Sequence, residues 1–378
     1  MKKINICFVC PTKNKIYINI FKNLQKEKNI SFSYLTSHVN NNPTKIIKHD
    51  GINFIYHKSK IIKNVFLKKY ILGKFTDRWP DLIKTLDRIN PDVILINNYF
   101  RPASITAAKY AKQHNIPFIL MTEVQDFYNP IKKIFYKITF FMLKNSMFKN
   151  ASMILPWTER SKQFIIKNII KNKTKIKLLS PGVDTSLFKK IKVKKNVEKF
   201  NILMVARMIP YKRFNDLLLA AKYMKENGYS NFTLNIRGNG PLENYIKQNV
   251  KKYGLKSNVK FIKKVDYKNM NLLYSSNDII VLPSHNEAVG MVIPEAMACG
   301  TVPIVSDSVG AEMYINNGKT GLKFKTFDYK DLAKKIIMLL NRNKLKIMSA
   351  NCKKKIIDNY ECKMVTKRLL KYIKEVLK

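Results

Sequence analysis

The 378-residue chain predicts an α/β protein built from two doubly wound parallel sheets, and three observations carry that reading. Short apolar, β-branched runs alternate with helix-like segments throughout, the pattern of parallel strands joined by crossover helices. The length exceeds what one core ordinarily serves, so two domains are expected, each with a substantial interior. Between them, Lys189 to Lys199 (KKIKVKKNVEK) is charged and short of large apolar residues, as an interdomain linker is.

In the first half, KINICFV, SFSYLT, DVILIN, PFILM, ASMIL and IKLLS read as strands, with helical stretches such as ITAAKYAKQH between them. The second half repeats the pattern. Phe200 to Lys212 (FNILMVARMIPYK) is an apolar strand followed by a loop carrying Arg207 and Lys212, then a helix signalled by Asn215 and the DLLLAA run. TLNI is followed in the same way by the loop Arg237 to Pro241 (RGNGP). DIIVL, Asp278 to Leu282, is a buried strand whose loop leads into a helix that closes at Cys299 and Gly300.

That last unit, LPSHNEAVGMVIPEAMACG, holds two glutamates and a helix start. Eight positions on one continuous helix would turn Glu287 and Glu295 about 80° apart, so Glu287 is placed in the loop. Pro294 is tolerated only in a helix's first turn, which puts the helix start near Gly290 and leaves the amides of Val289 to Ile293 facing the loop. Unpaired amides and the positive end of the helix dipole favour a phosphate, and the flanking carboxylates accept hydrogen bonds from hydroxyls. Taken alone, the pair equally fits a solvated loop acid and a helix-capping acid. The cations decide the reading, because Arg207 and Lys212 at another strand's carboxyl end can clamp a diphosphate where ligands of open α/β sheets sit.

The set VARMIPYKRFNDLLLAA, RGNGPL and PSHNEAVGMVIPEAMACGTVPIVSDSVGAEMYINNGKTGL resembles, in order and over about Asn201 to Leu322, the carboxyl-terminal half of the family 4 glycosyltransferases. These are retaining enzymes of the GT-B fold, in which two Rossmann-like domains face each other across a cleft. SPGVDTSLF, Ser180 to Phe188, is similar to the family's approach to that domain. The resemblance implies an acceptor-binding domain over 1–188, a nucleotide-sugar-binding domain over 200–361, and a final helix over 362–378 that crosses back onto the first domain. It also implies that Arg207 and Lys212 hold the donor diphosphate, with backbone amides around Gly290 and Met291 near the phosphates. Glu295 then binds the nucleotide ribose, and Glu287 sits beside the donor sugar. The implied donor is a nucleotide-diphosphate sugar, a UDP-sugar in preference to a GDP-sugar, and the acceptor a glycan or lipid-linked hydroxyl in cell-surface polysaccharide biosynthesis. A soluble glucan or sugar-phosphate synthase of the same fold is the alternative. The first half resembles the family mainly in outline. Cys10 to Asn19 lacks the family's frequent glycine-rich loop, and Thr122 and Glu123 stand where many members carry a histidine; Glu123 and Asp126 are the acids that could face the acceptor.

The formal charge of +46 far exceeds what solubility needs. Nucleic acid is disfavoured, since of 71 basic residues nine are arginines, the residue preferred for base and phosphate forks, while 62 are lysines scattered along the chain with Asn and Ile. Part of that excess fits an AT-rich genome. An anionic membrane surface fits the rest: Lys58 to Lys74 and Ile131 to Lys149 mix lysines with large apolar residues at amphipathic spacing, although a surface helix packed on the core gives the same spacing. No run approaches the roughly 18 apolar residues of a transmembrane helix, and Met1 to Cys10 reads as a first strand rather than a signal peptide. The expected place is the cytoplasm, at the inner face of the plasma membrane. Cys7 and Cys10 fall on opposite faces of a strand, and with Cys299, Cys352 and Cys362 the odd total suits a reduced protein.

Other spellings fail on context. Gly318, Lys319 and Thr320 end like a P-loop, but that loop needs a glycine where Met313 stands. RGNGPLE puts Glu243 in place of the third glycine of a dinucleotide fingerprint. The chain has no Asp-x-Asp, and its five histidines, of which only His285 lies near the motifs, have no metal-ligand spacing, so no metal is expected.

Overall fold

The computed structural model describes residues 3–11, 15–38, 45–49, 52–58, 79–123, 138, 141–170, 172–193, 198–285 and 287–378. The chain divides into two compact units, Met1–Gly182 together with Cys362–Lys378, and Val183–Glu361. The division falls just upstream of the charged 189–199 stretch, and the last helix, Cys362–Val376, groups with the first unit.

The first unit holds a seven-stranded sheet in the order β3-β4-β2-β1-β5-β6-β7. Its strands are β1 (Ile4–Val9), β2 (Ile30–His38), β3 (Lys45–His49), β4 (Ile52–Lys58), β5 (Val93–Asn97), β6 (Phe118–Thr122) and β7 (Met153–Pro156). The strands β5, β6 and β7 are buried at every position, which is why they read as continuous apolar runs rather than alternating ones. Helices α1 (Lys15–Leu24), α2 (Leu82–Ile89), α3 (Pro102–Gln113) and α4 (Glu159–Asn168) cover the faces. α1 packs its aromatic side on β1 and β2: the Phe21 ring lies 4.6 Å from Phe8 and 4.4 Å from Phe32. The last helix packs against α1, where the Thr366 hydroxyl donates to the Ile20 carbonyl at 2.9 Å.

Two features of this sheet depart from the sequence reading. β3 and β4 pair antiparallel, so the otherwise parallel sheet ends in an edge whose lysines dilute its apolar pattern. IKLLS forms no strand of its own. It makes one parallel bridge, Ile154 to Ile176, and its Lys177 and Leu179 amides donate to Ile154 and Pro156 at 3.0 Å. Cys7, Cys10, Cys299, Cys352 and Cys362 are all free and buried.

The second unit holds a six-stranded, fully parallel sheet in the order β10-β9-β8-β11-β12-β13. These are β8 (Phe200–Val205), β9 (Phe232–Arg237), β10 (Val259–Ile262), β11 (Ile279–Leu282), β12 (Val302–Ser306) and β13 (Leu322–Phe324). Its helices are α5 (Phe214–Glu226), α6 (Glu243–Lys252), α7 (Met270–Ser275), α8 (Val292–Ala298), α9 (Tyr329–Met338) and α10 (Arg342–Tyr360). From β8 the chain builds outward to β9 and β10, then returns to lay β11 on the other flank of β8 and builds outward again. The reversal lies between β8 and β11. The loops leaving those two strands must part in opposite directions there, which opens a crevice outside their carboxyl ends.

Candidate active site at the β8/β11 switch point

Both loops at this reversal carry the residues singled out in the sequence. After β8 the chain runs through Arg207 into a 3₁₀ turn, Pro210–Lys212. Arg213 then takes a left-handed conformation, φ 55°, to start α5, and its guanidinium grips Asp216 with bonds of 2.9 and 2.7 Å. This reversal turns Lys212 inward. Its ammonium donates to Glu287 Oε1 at 2.5 Å, with the two side chains only 10% and 16% exposed. The loops are also tied through backbone, the His285 amide donating to the Tyr211 carbonyl at 2.7 Å.

Glu287 Oε2 is the informative atom. It is buried, and it accepts no hydrogen bond from the described residues. A buried carboxylate oxygen without a donor costs free energy unless something else supplies one. Arg207 lies exposed on the β8 loop with Lys212 and has no ion-pair partner among the described residues. The Tyr211 phenol senses both charges: burial and Glu287 push its pKa up, and Arg207 pulls it down. The arrangement therefore offers one cation for an anion, one cation already bridged to a carboxylate, and one acceptor oxygen for a hydroxyl.

Gly238 and Gly240 explain how the Arg207 loop is held. The loop after β9 is laced to it by bonds from Ala206 N to Arg237 O (3.1 Å), Met208 N to Asn239 O (2.8 Å) and Leu242 N to Met208 O (3.2 Å). A Cβ at Gly238 would sit 1.9 Å from the Ala206 carbonyl oxygen, and one at Gly240 2.5 Å from that of Met208. Only glycine permits this approach.

After β11, Gly290 has φ +69°, and a Cβ there would stand 2.7 Å from Leu282 Cδ2 and 3.2 Å from Ala311 Cβ. The helix begins later than the proline rule suggested, with Met291 as its N-cap and Val292 as its first residue. The Ile293 amide, expected to face the loop, donates instead to the Gly290 carbonyl at 2.9 Å, because the left-handed turn at Gly290 folds that carbonyl back over the helix start. Asn286 lies outside the described residues.

Glu295 is not at the rim. It is 7% exposed, with Oε1 accepting from the Tyr267 hydroxyl at 3.1 Å and Oε2 from that of Tyr274 at 2.8 Å. Burial pushes its pKa up to about 7, and the two tyrosine bonds pull against that rise. Sequence reasoning missed both tyrosines. They lie 28 and 21 residues upstream, on the far side of β11, and no local spacing links them to Glu295. His285 packs its ring 4.8 Å from Phe327, which also lies 4.6 Å from the Arg213 guanidinium.

On the first unit, Glu123 directly follows β6, and Asp126 lies outside the described residues, as do most of Lys58 to Lys74 and part of Ile131 to Lys149. Among the described residues no group of three or more His, Cys, Asp or Glu side chains is placed to hold a metal ion, and no helix is long and apolar enough to cross a membrane.

The chain has relatives among known proteins. Residues 186–357 match the family described as "Glycosyl transferases group 1". The chain is 30% identical over 322 residues to the N,N'-diacetylbacillosaminyl-diphospho-undecaprenol alpha-1,3-N-acetylgalactosaminyltransferase of Campylobacter jejuni, covering 79% of this chain and 80% of that one. It is 26% identical over 294 residues to the UDP-Gal:alpha-D-GlcNAc-diphosphoundecaprenol alpha-1,3-galactosyltransferase of Escherichia coli, covering 74% of each. Among solved structures, sucrose-phosphate synthase from Thermosynechococcus elongatus superimposes with a TM-score of 0.79 at 16% identity, over 99% of both chains.

Proposed function

Because the chain belongs to the family 4 (group 1) glycosyltransferases of GT-B fold, we propose that it moves a sugar from a UDP-sugar to a lipid-linked glycan with retention of anomeric configuration. The observation that carries the reading is the buried Glu287 Oε2, without a donor among the described residues, beside the Lys212 ammonium at the sheet reversal where a sugar donor would lie. In this reading Arg207 and Lys212 take the diphosphate, aided by backbone around Gly290 and Met291. Glu287 Oε2 accepts from a sugar hydroxyl and stabilises positive character at the ring. Glu295, oriented by its two tyrosines, addresses the ribose.

Transfer breaks the bond between the anomeric carbon and the diphosphate oxygen and forms one to the acceptor oxygen. Negative charge grows on the leaving diphosphate, where preplaced cations lower the barrier most because they need no reorganisation. The leaving phosphate takes the acceptor's proton on the same face, so the configuration is kept. The reaction so drawn uses no metal, and Glu287, bridged to Lys212, serves as an electrostatic partner rather than a covalent nucleophile.

Residues 200–361 take the donor and residues 1–188 the acceptor, with 362–378 part of the first unit. A lipid-linked acceptor fits the C. jejuni and E. coli relatives, both named for diphospho-undecaprenol substrates. Contact with an anionic membrane at its cytoplasmic face fits a surface of the first unit. There Ile138, Phe141 and Met142 are 56%, 82% and 72% exposed, in a stretch that also carries Lys144 and Lys149.

The test supplies the full chain with UDP-hexoses and UDP-N-acetylhexosamines, and offers an undecaprenyl-diphosphate-linked saccharide beside fructose 6-phosphate and a soluble glucan. Product on the lipid-linked saccharide alone is expected. Transfer to the water-soluble acceptors instead would favour the sugar-phosphate or glucan synthase reading.

A further inference from the structure

At the amino ends of the second sheet, opposite the donor loops, lies an open cavity of about 750 Å³. Its floor is made by the turn before β11, including Ser275 and Asp278, and by Cys299 and Gly300 before β12. One wall is a single face of α10, Arg342, Leu345, Lys346, Ser349, Ala350 and Lys353, spaced three and four residues apart as one helical stripe. The other wall is the extended strap 190–193, which contributes Lys190 and Lys192.

The charges on these walls do not balance. Asp278 is the one acid among the lining residues, and it is already committed: Oδ1 accepts from Arg342 at 2.8 Å and Oδ2 from the Asn201 amide at 2.8 Å. Lys192, Lys346 and Lys353 have no ion-pair partner among the described residues. The lysines also converge. A Cβ placed on Gly300 would lie 3.3 Å from Lys190 Cδ and 3.5 Å from Lys353 Cδ, so stems from both walls meet over that one glycine. Ser349 Oγ holds the helix wall there by donating to the Gly300 carbonyl at 2.5 Å.

We propose that this cavity is a second anion site, taking a small molecule that carries two or more phosphate groups. A concave space of this volume suits a small ligand rather than a polymer. Lys192 on one wall and Lys346 and Lys353 on the other, with the local acid neutralised by Arg342, suit several separated negative charges better than a single carboxylate. The site is separate from the donor loops, since it opens at the opposite ends of the same strands.

Inorganic pyrophosphate is the probe, measured by titration calorimetry at low salt against four proteins. These are the wild type, Lys192→Ala/Lys346→Ala/Lys353→Ala, Arg207→Ala, and a control removing three exposed lysines elsewhere, Lys252→Ala/Lys256→Ala/Lys260→Ala. The cavity variant is expected to lose about tenfold in affinity for one class of site. Arg207→Ala and the control should keep that class unchanged. The proposal is overturned if the cavity variant binds pyrophosphate like the wild type, if the control loses as much, or if Arg207→Ala removes all binding. All the substituted lysines are at least partly exposed, so the variants are expected to fold, and a melting curve checks this.

Discussion

Lys212→Ala is expected to lower turnover by roughly 10²- to 10³-fold, the usual loss when one preplaced charge that meets a developing anion is removed. The same change strands Glu287, whose Oε1 loses its 2.5 Å partner while Oε2 already lacks a donor among the described residues. A stability cost of about 2–3 kcal/mol should therefore accompany the activity loss, somewhat below that of breaking a fully buried pair, because the side chains keep 10% and 16% exposure. A double variant separates the two effects. Lys212→Ala/Glu287→Gln removes the stranded charge and should recover much of the stability, while turnover stays low. Recovery of turnover with stability would mean that the bridge only holds the loops together.

Gly238→Ala is expected to disrupt the second unit far more than its one added methyl suggests. The Cβ would stand 1.9 Å from the Ala206 carbonyl oxygen, in backbone that has no rotamer to yield, so the two laced loops must separate. A loss of about 3 kcal/mol or more follows from overpacking of this kind. Gly228→Ala is the internal comparison. It has positive φ, +87°, but nothing within 4 Å of the added carbon, and strain alone should cost about 1–2 kcal/mol. Chemical denaturation of both variants measures the difference, and equal losses would mean that the loop contact yields easily.

The architecture was legible because parallel strands buried on both faces advertise themselves. FNILMV and IIVL are apolar at nearly every position, and the loops after them carried Arg207, Lys212, Glu287 and Gly290. What pattern reading missed was set by distance or direction. The β3–β4 hairpin is an edge element with lysines, so its apolar signal is diluted. The Lys212 to Glu287 bridge spans 75 residues and depends on β11 lying beside β8, a neighbour relation that no local window contains. Glu295 looked like an acid at a helix start, yet its side chain points back to Tyr267 and Tyr274, because α7 packs on α8. The left-handed turn at Arg213, which aims Lys212, has no glycine or asparagine to announce it.

Binding of a nucleotide diphosphate by the β8/β11 loops should stabilise the folded protein. It is tested most directly by the thermal stability of the purified protein against a panel of nucleotides and nucleotide sugars, with Arg207→Ala and Glu295→Ala alongside. A ligand at about 100 times its dissociation constant stabilises the folded state by about 2.7 kcal/mol. UDP and UDP-sugars are expected to raise the melting temperature of the wild type, and both variants to lose most of the rise. A full shift retained by Arg207→Ala and Glu295→Ala would place the nucleotide elsewhere, and no shift with any nucleotide would contradict a donor site at this reversal.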